Sequence, residues 1–158
     1  MSVMAVPCAP PALYRPDDRS AGLEASALRR LLAQMIAPSP GRDRRLEAGD
    51  RLISALQRAD IDGVRVLAGV VARTAALLDA LPFEIPLPRV LVESEHEIGL
   101  DWDEDDRRVV SVTVDDSPLI GYASLIGWEP LHGRLDPSTA PSGVPSTLLA
   151  ALRRLYPH

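Results

Sequence analysis

His96-Glu-Ile-Gly-Leu-Asp-Trp-Asp-Glu-Asp-Asp-Arg-Arg-Val-Val-Ser-Val-Thr-Val114 holds two alternating runs on either side of a knot of acids, and its reading decides the fold. Successive side chains of an extended chain point to opposite faces. Ile98, Leu100 and Trp102 therefore share one face, and Gly99, Asp101 and Asp103 take the other. From Arg108 to Asp115 the pattern repeats, with Val110, Val112 and Val114 opposite Val109, Ser111 and Thr113. Two such runs joined by a polar turn predict an antiparallel hairpin with one apolar face.

Working outward, Arg89 to Glu93 is a short strand candidate, and Asp115-Asp116-Ser117-Pro118 has the residues of a turn. Leu119 to Ile126 supplies a further strand, giving a three- or four-stranded antiparallel meander over residues 89–127. Upstream, Pro82, Pro86 and Pro88 remove backbone donors and push their neighbours toward extended conformations, so residues 82–88 read as a connector. Residues 20–81 are helical in pattern. Leu28, Leu31, Leu32, Met35 and Ile36 follow the i, i+3, i+4 spacing of a first amphipathic helix, which Pro38 and Pro40 end. Ser39 before Pro40 resembles an N-cap, and Leu46, Leu52, Ile53 and Leu56 then form an apolar face through about Ala59.

Asp60 or Asp62 can cap a third helix, running through Val64, Val66, Leu67, Val70, Val71, Leu77, Leu78 and Leu81. Its polar strip is narrow, which predicts the most buried helix of the set. Leu67→Ala or Leu78→Ala is then expected to cost roughly 2 to 5 kcal/mol. Residues 128–158 read as a long loop, Gly127 to Gly143, and a closing helix in which Pro145 occupies the first turn and Leu148, Leu149, Leu152 and Leu155 the apolar stripe. The expected class is α+β: about three N-terminal helices on one face of the meander, with a C-terminal helix. Residues 1–19, with Pro7, Pro10, Pro11 and Pro16, read as an extended arm, and 20–158 as a single domain.

At 158 residues with 46% hydrophobic and 25% charged content, the composition is that of an ordinary globular protein. The single cysteine, Cys8, cannot make an internal disulfide, and the proline-broken N-terminus lacks a signal-peptide pattern. A cytoplasmic location is the expectation. All 17 basic residues are arginine, which excludes lysine Schiff-base chemistry and makes every side-chain cation other than histidine a guanidinium. The net charge is −5, and acids dominate between Glu93 and Asp116, which disfavours nucleic acid as a ligand of that half.

The sharpest candidate for chemistry is Asp101-Trp-Asp-Glu-Asp-Asp106. As a calcium loop starting at Asp101 it places Asp106 where glycine is needed and Val112 where the bidentate glutamate belongs. The expectation is a solvated turn whose acids suppress edge pairing, with no metal and no cofactor. His96 lies between Glu95 and Glu97, and in a strand neither neighbour could share its side, which leaves it a turn or strand-entry residue. His132 falls in the long loop, and the serines lack the Gly-x-Ser-x-Gly elbow and an assignable histidine and acid. Trp102 is expected in the core with its polar tip reaching water, and Trp128 at an interface.

Ile98-Gly-Leu-Asp-Trp102, the Val-x-Val strand after it and Gly121-Tyr-Ala123 resemble a signature of small bacterial proteins in which a helical segment ends in prolines and an Ile-x-Leu-x-Trp strand follows. The resemblance covers about residues 80–135. It implies an accessory or partner protein, including the antitoxin type, and no catalytic residues. The functional expectation is a non-enzymatic binding or regulatory protein whose Asp101, Asp103, Glu104, Asp105, Asp106, Trp128 and His132 meet a basic protein partner. A homo-oligomer fits the same pattern, and neither membrane nor nucleic acid is expected as a partner. The competing expectation is a small metal-dependent or acid/base enzyme, with Asp101, Asp103, His96 and His132 in one pocket.

Overall fold

A computed structural model describes residues 41–157, and the expected first helix, Leu28 to Ile36, lies outside them. The described chain is α+β: two helices, a five-stranded antiparallel sheet and a C-terminal helix. Helix α1 is Arg42–Ile61 and α2 is Ala68–Ala80. The strands are β1 (Arg89–Ser94), β2 (Glu97–Asp105), β3 (Arg108–Val114), β4 (Ile120–Ile126) and β5 (Glu129–Leu135). A 3-10 turn at Pro137–Thr139 leads to α3, Ser146–Leu155. Strand order follows chain order, so the sheet is a plain meander.

Parity places the core as the alternation predicts. Ile98 pairs with Val114, Leu100 with Val112 and Trp102 with Val110, and all six side chains are buried. Buried residues of α1, α2 and α3 join the same cluster, so one face of the sheet carries all three helices. Trp102 is 1% exposed, and its Nε1 donates to the Pro86 carbonyl at 2.7 Å. Its polar tip therefore reaches the proline connector and not water, which gives a buried donor a partner. The opposite face carries Leu91, Asp101, Ser111, Thr113, Ala123 and His132, with no described helix against it.

Three expectations need correction. The third predicted helix starts four residues late, at Ala68, because Gly63 takes φ +80° and ends α1, and the Leu67 N–H then donates to Glu95 O at 2.8 Å. A tertiary hydrogen bond wins over local helical periodicity in Val64 to Leu67. Nor does α2 stand out as the most buried helix: Leu67 stops outside it at 43% exposed and only Val70, Thr74, Leu77 and Leu78 of its 13 residues are buried, whereas Leu148, Ala151, Leu152 and Leu155 are buried in the 10-residue α3. The expected loop after Gly127 contains β5, a strand hidden in the sequence by Pro130 and Gly133. Both residues are tolerated there because β5 is an edge, where a missing donor costs no ladder bond on its open side. The Tyr122 ring covers Gly133, and a Cβ at Gly133 would stand 3.1 Å from it.

Candidate functional site

The β2–β3 turn and the β4–β5 turn lie side by side at one end of the sheet. Asp105 Oδ1 accepts the Arg107 N–H at 2.8 Å and closes the first turn. Gly127 opens the second turn at φ +69°, a left-handed conformation that favours glycine, and its N–H donates to Arg107 O at 2.8 Å. That bond sets Trp128 beside the acidic turn. The Arg107 guanidinium sits 3.9 Å from the centre of the Trp128 ring, and Trp128 is nonetheless 78% exposed. At the end of β2 and in the turn after it Asp103, Glu104, Asp105 and Asp106 are exposed, with Glu104 paired to Arg108.

Asp101 belongs to a different surface. It lies on the uncovered face, accepts the Ser111 hydroxyl at 2.7 Å and pairs with Arg89 at 3.4 Å. Asp103 is 4.0 Å from the same guanidinium. His132 is exposed on β5, opposite Ala123, which in turn pairs with Ser111. Asp101 and His132 thus occupy one transverse row three strand steps apart, roughly 14 Å at the usual strand spacing. His96 is in the turn between β1 and β2, at the far end of β2 from the acids. Its Nδ1 lies 2.8 Å from Asp116 Oδ2 and its Nε2 3.1 Å from Glu95 Oε1. The histidine does therefore share a side with Glu95, because a turn is not bound by strand parity. The four residues of the enzymatic reading do not converge, and no group of three His, Cys, Asp or Glu side chains among the described residues could hold a metal ion.

The bond to Asp116 is the main reason that the His96 imidazolium is held above its ordinary pKa, and the same bond lowers Asp116. Tyr156, by contrast, is raised chiefly by burial, with Glu104 and Asp103 adding to it.

A second site went unmarked in the sequence. A groove of about 450 Å³ runs between α3 and the β4–β5 pair, lined by Ser124, Ile126, Leu131, Ala150 and Arg154 among others. Ser124 is 6% exposed, and its Oγ has no hydrogen-bond partner. The signal was present: in Ile120, Tyr122, Ser124 and Ile126 a small hydroxyl stands at the parity of the core.

No helix among the described residues is long and apolar enough to cross a membrane. Comparison with protein-family models, curated proteins and solved structures finds no match to this chain.

Proposed function

We propose that this protein is a non-enzymatic binding or regulatory protein, an antitoxin-like or accessory subunit of a bacterial cytosol, which grips a basic protein partner with the paired turns at the end of its sheet. The observation that carries this reading is Trp128, exposed and already stacked by the Arg107 guanidinium of the neighbouring turn, whose strand end bears four exposed carboxylates. A large aromatic ring left in water is a favoured anchor for a partner side chain. Its free ring face suits an arginine, which gains cation–π attraction there while Asp103, Glu104, Asp105 or Asp106 takes the fork of its donors. Arg107 shows the ring half of this geometry within the chain: a guanidinium over the Trp128 ring. Asp101 is engaged by Arg89 and Ser111, and His132 lies on the uncovered face, so both are peripheral to this grip.

The test uses the full chain and two partners: an arginine-rich peptide, and the basic protein that co-purifies with the tagged chain from its native host. Trp128→Ala is expected to weaken both complexes by about tenfold or more, the range of an interface anchor. Neutralising Asp103, Glu104 and Asp106 to their amides together with Asp105→Asn, which keeps the turn-closing acceptor, is expected to abolish the salt dependence of binding. Unchanged affinity in both variants, or binding that does not weaken with salt in the parent, would overturn the proposal.

A further inference from the structure

The groove between α3 and the β4–β5 pair has the properties of a ligand site. Its wall along α3 is built from Ser146, Thr147, Ala150 and Ala151, small residues at helical spacing that let the helix stand close to a ligand, with Arg154 at the far end. The facing wall is Ile126, Leu131 and Tyr122, so the middle of the groove is apolar. Its volume of about 450 Å³ falls among sites that hold small molecules.

Two polar features border this apolar slot. One is Ser124, more than nine-tenths buried with an unpartnered Oγ, surrounded on its face by Val110 and Leu131 across the strands. Rotation of a serine about a single χ1 angle carries its hydroxyl between staggered positions, so a seated ligand can meet it. The other is the start of α3. Pro145 at its N-cap supplies no side-chain cap, and Ser146 and Thr147 line the groove beside the uncapped turn. The first N–H groups of a helix lack partners within it and carry the positive end of its dipole, an arrangement that takes an anion.

The other end of the groove fixes the ligand's direction. Arg154 is paired with Glu129 at 2.8 Å, so the cation at that end is already met and the uncapped start of α3 is the end left for an anion. We infer that the groove binds a small apolar carboxylic acid bearing a hydroxyl or keto oxygen on its body, with the carboxylate on the first turn of α3, the chain over Ala150 and Leu131, and the oxygen at Ser124. The site is separate from the Trp128 surface and rests on none of its arguments.

Calorimetric titration of the full chain with octanoate, octanol and the positional series of oxo-octanoates tests it. Octanoate should bind saturably, and octanol about tenfold more weakly, since only the acid can charge-pair with the helix start. One oxo isomer should bind about three- to tenfold tighter than octanoate, and Ser124→Ala should erase that advantage. Ala150→Phe fills the slot from an exposed position and should abolish binding. Ser146→Asp places a carboxylate on the first turn, where it stabilises the helix, so the variant stays folded while the acid is repelled. Neutralising the acids near Trp128 should leave octanoate binding as it was. Absence of saturable binding, octanol equal to octanoate, or affinity unmoved by both Ala150→Phe and Ser146→Asp would overturn the inference.

Discussion

Among the described residues His96 and Asp116 form a contact that couples to pH. The folded pKa of His96 is raised by the bond to Asp116, and that of Asp116 is lowered in return. A raised histidine contributes its stability in full below its unfolded pKa and loses it as pH rises through the folded value; a lowered aspartate contributes above its unfolded pKa and loses it as pH falls through the depressed one. Both effects are therefore present together between about pH 4 and about pH 6.5. The melting temperature of the parent should exceed that of His96→Gln in that window, and the gap should narrow as pH is taken to about 8.5. In an NMR titration the His96 pKa should lie above its ordinary value and fall in Asp116→Asn. A gap independent of pH would show that the contact adds nothing. Both groups are exposed, so screening by added salt should shrink the effect.

The elements differ in how firmly their neighbours hold them, and burial ranks them against the sequence's own ranking. In α3, Leu148, Leu152 and Leu155 are fully buried, with Arg153 and Arg154 turned outward. Leu152→Ala should therefore cost about 2 to 5 kcal/mol in urea unfolding, and Leu67→Ala clearly less than about 2, because Leu67 keeps 43% of its surface in water. Equal losses would contradict the observed packing. The hairpin was legible because its three pairs of in-phase apolar residues admit only one parity. β5 was not, since Pro130 and Gly133 are residues that a central strand excludes and an edge allows, and only the completed sheet says where the edge is. The groove owes its wall to this unforeseen strand.

Across the whole molecule, arginines tie helices to the rest of the fold through backbone carbonyls. Arg44 of α1 donates to Phe83 O and Ile85 O, and Arg51 to Leu87 O at 2.8 Å and Pro88 O at 3.0 Å, which fixes the connector along the helix. Arg73 of α2 reaches Ser117 O in the β3–β4 loop, and Arg108 of β3 reaches Leu155 O at the end of α3. Burial lowers the Arg44 pKa, against the raising pull of Glu47. A guanidinium can span two carbonyls and a carboxylate at once, as Arg51 does with Glu47, whereas an ammonium is a single point of donation. Arg51→Lys should therefore cost about 1 kcal/mol in denaturant unfolding despite keeping the charge. No loss would mean that the connector holds its place without this strap.

The sequence by itself determined the α+β class, the core faces of β2 and β3, the closing helix and the exposure of Asp103 to Asp106 and of Trp128. These follow from period and polarity, which act between near neighbours and survive any arrangement of the whole. Only the tertiary structure decided that the sheet has five strands, that Asp101 and His132 stand far apart, that Arg107 lies on Trp128, and that Ser124 borders a groove with its Oγ unpartnered. Each of those depends on which strand lies beside which and what a helix leaves uncovered, and such distances are set by packing between segments remote in the chain.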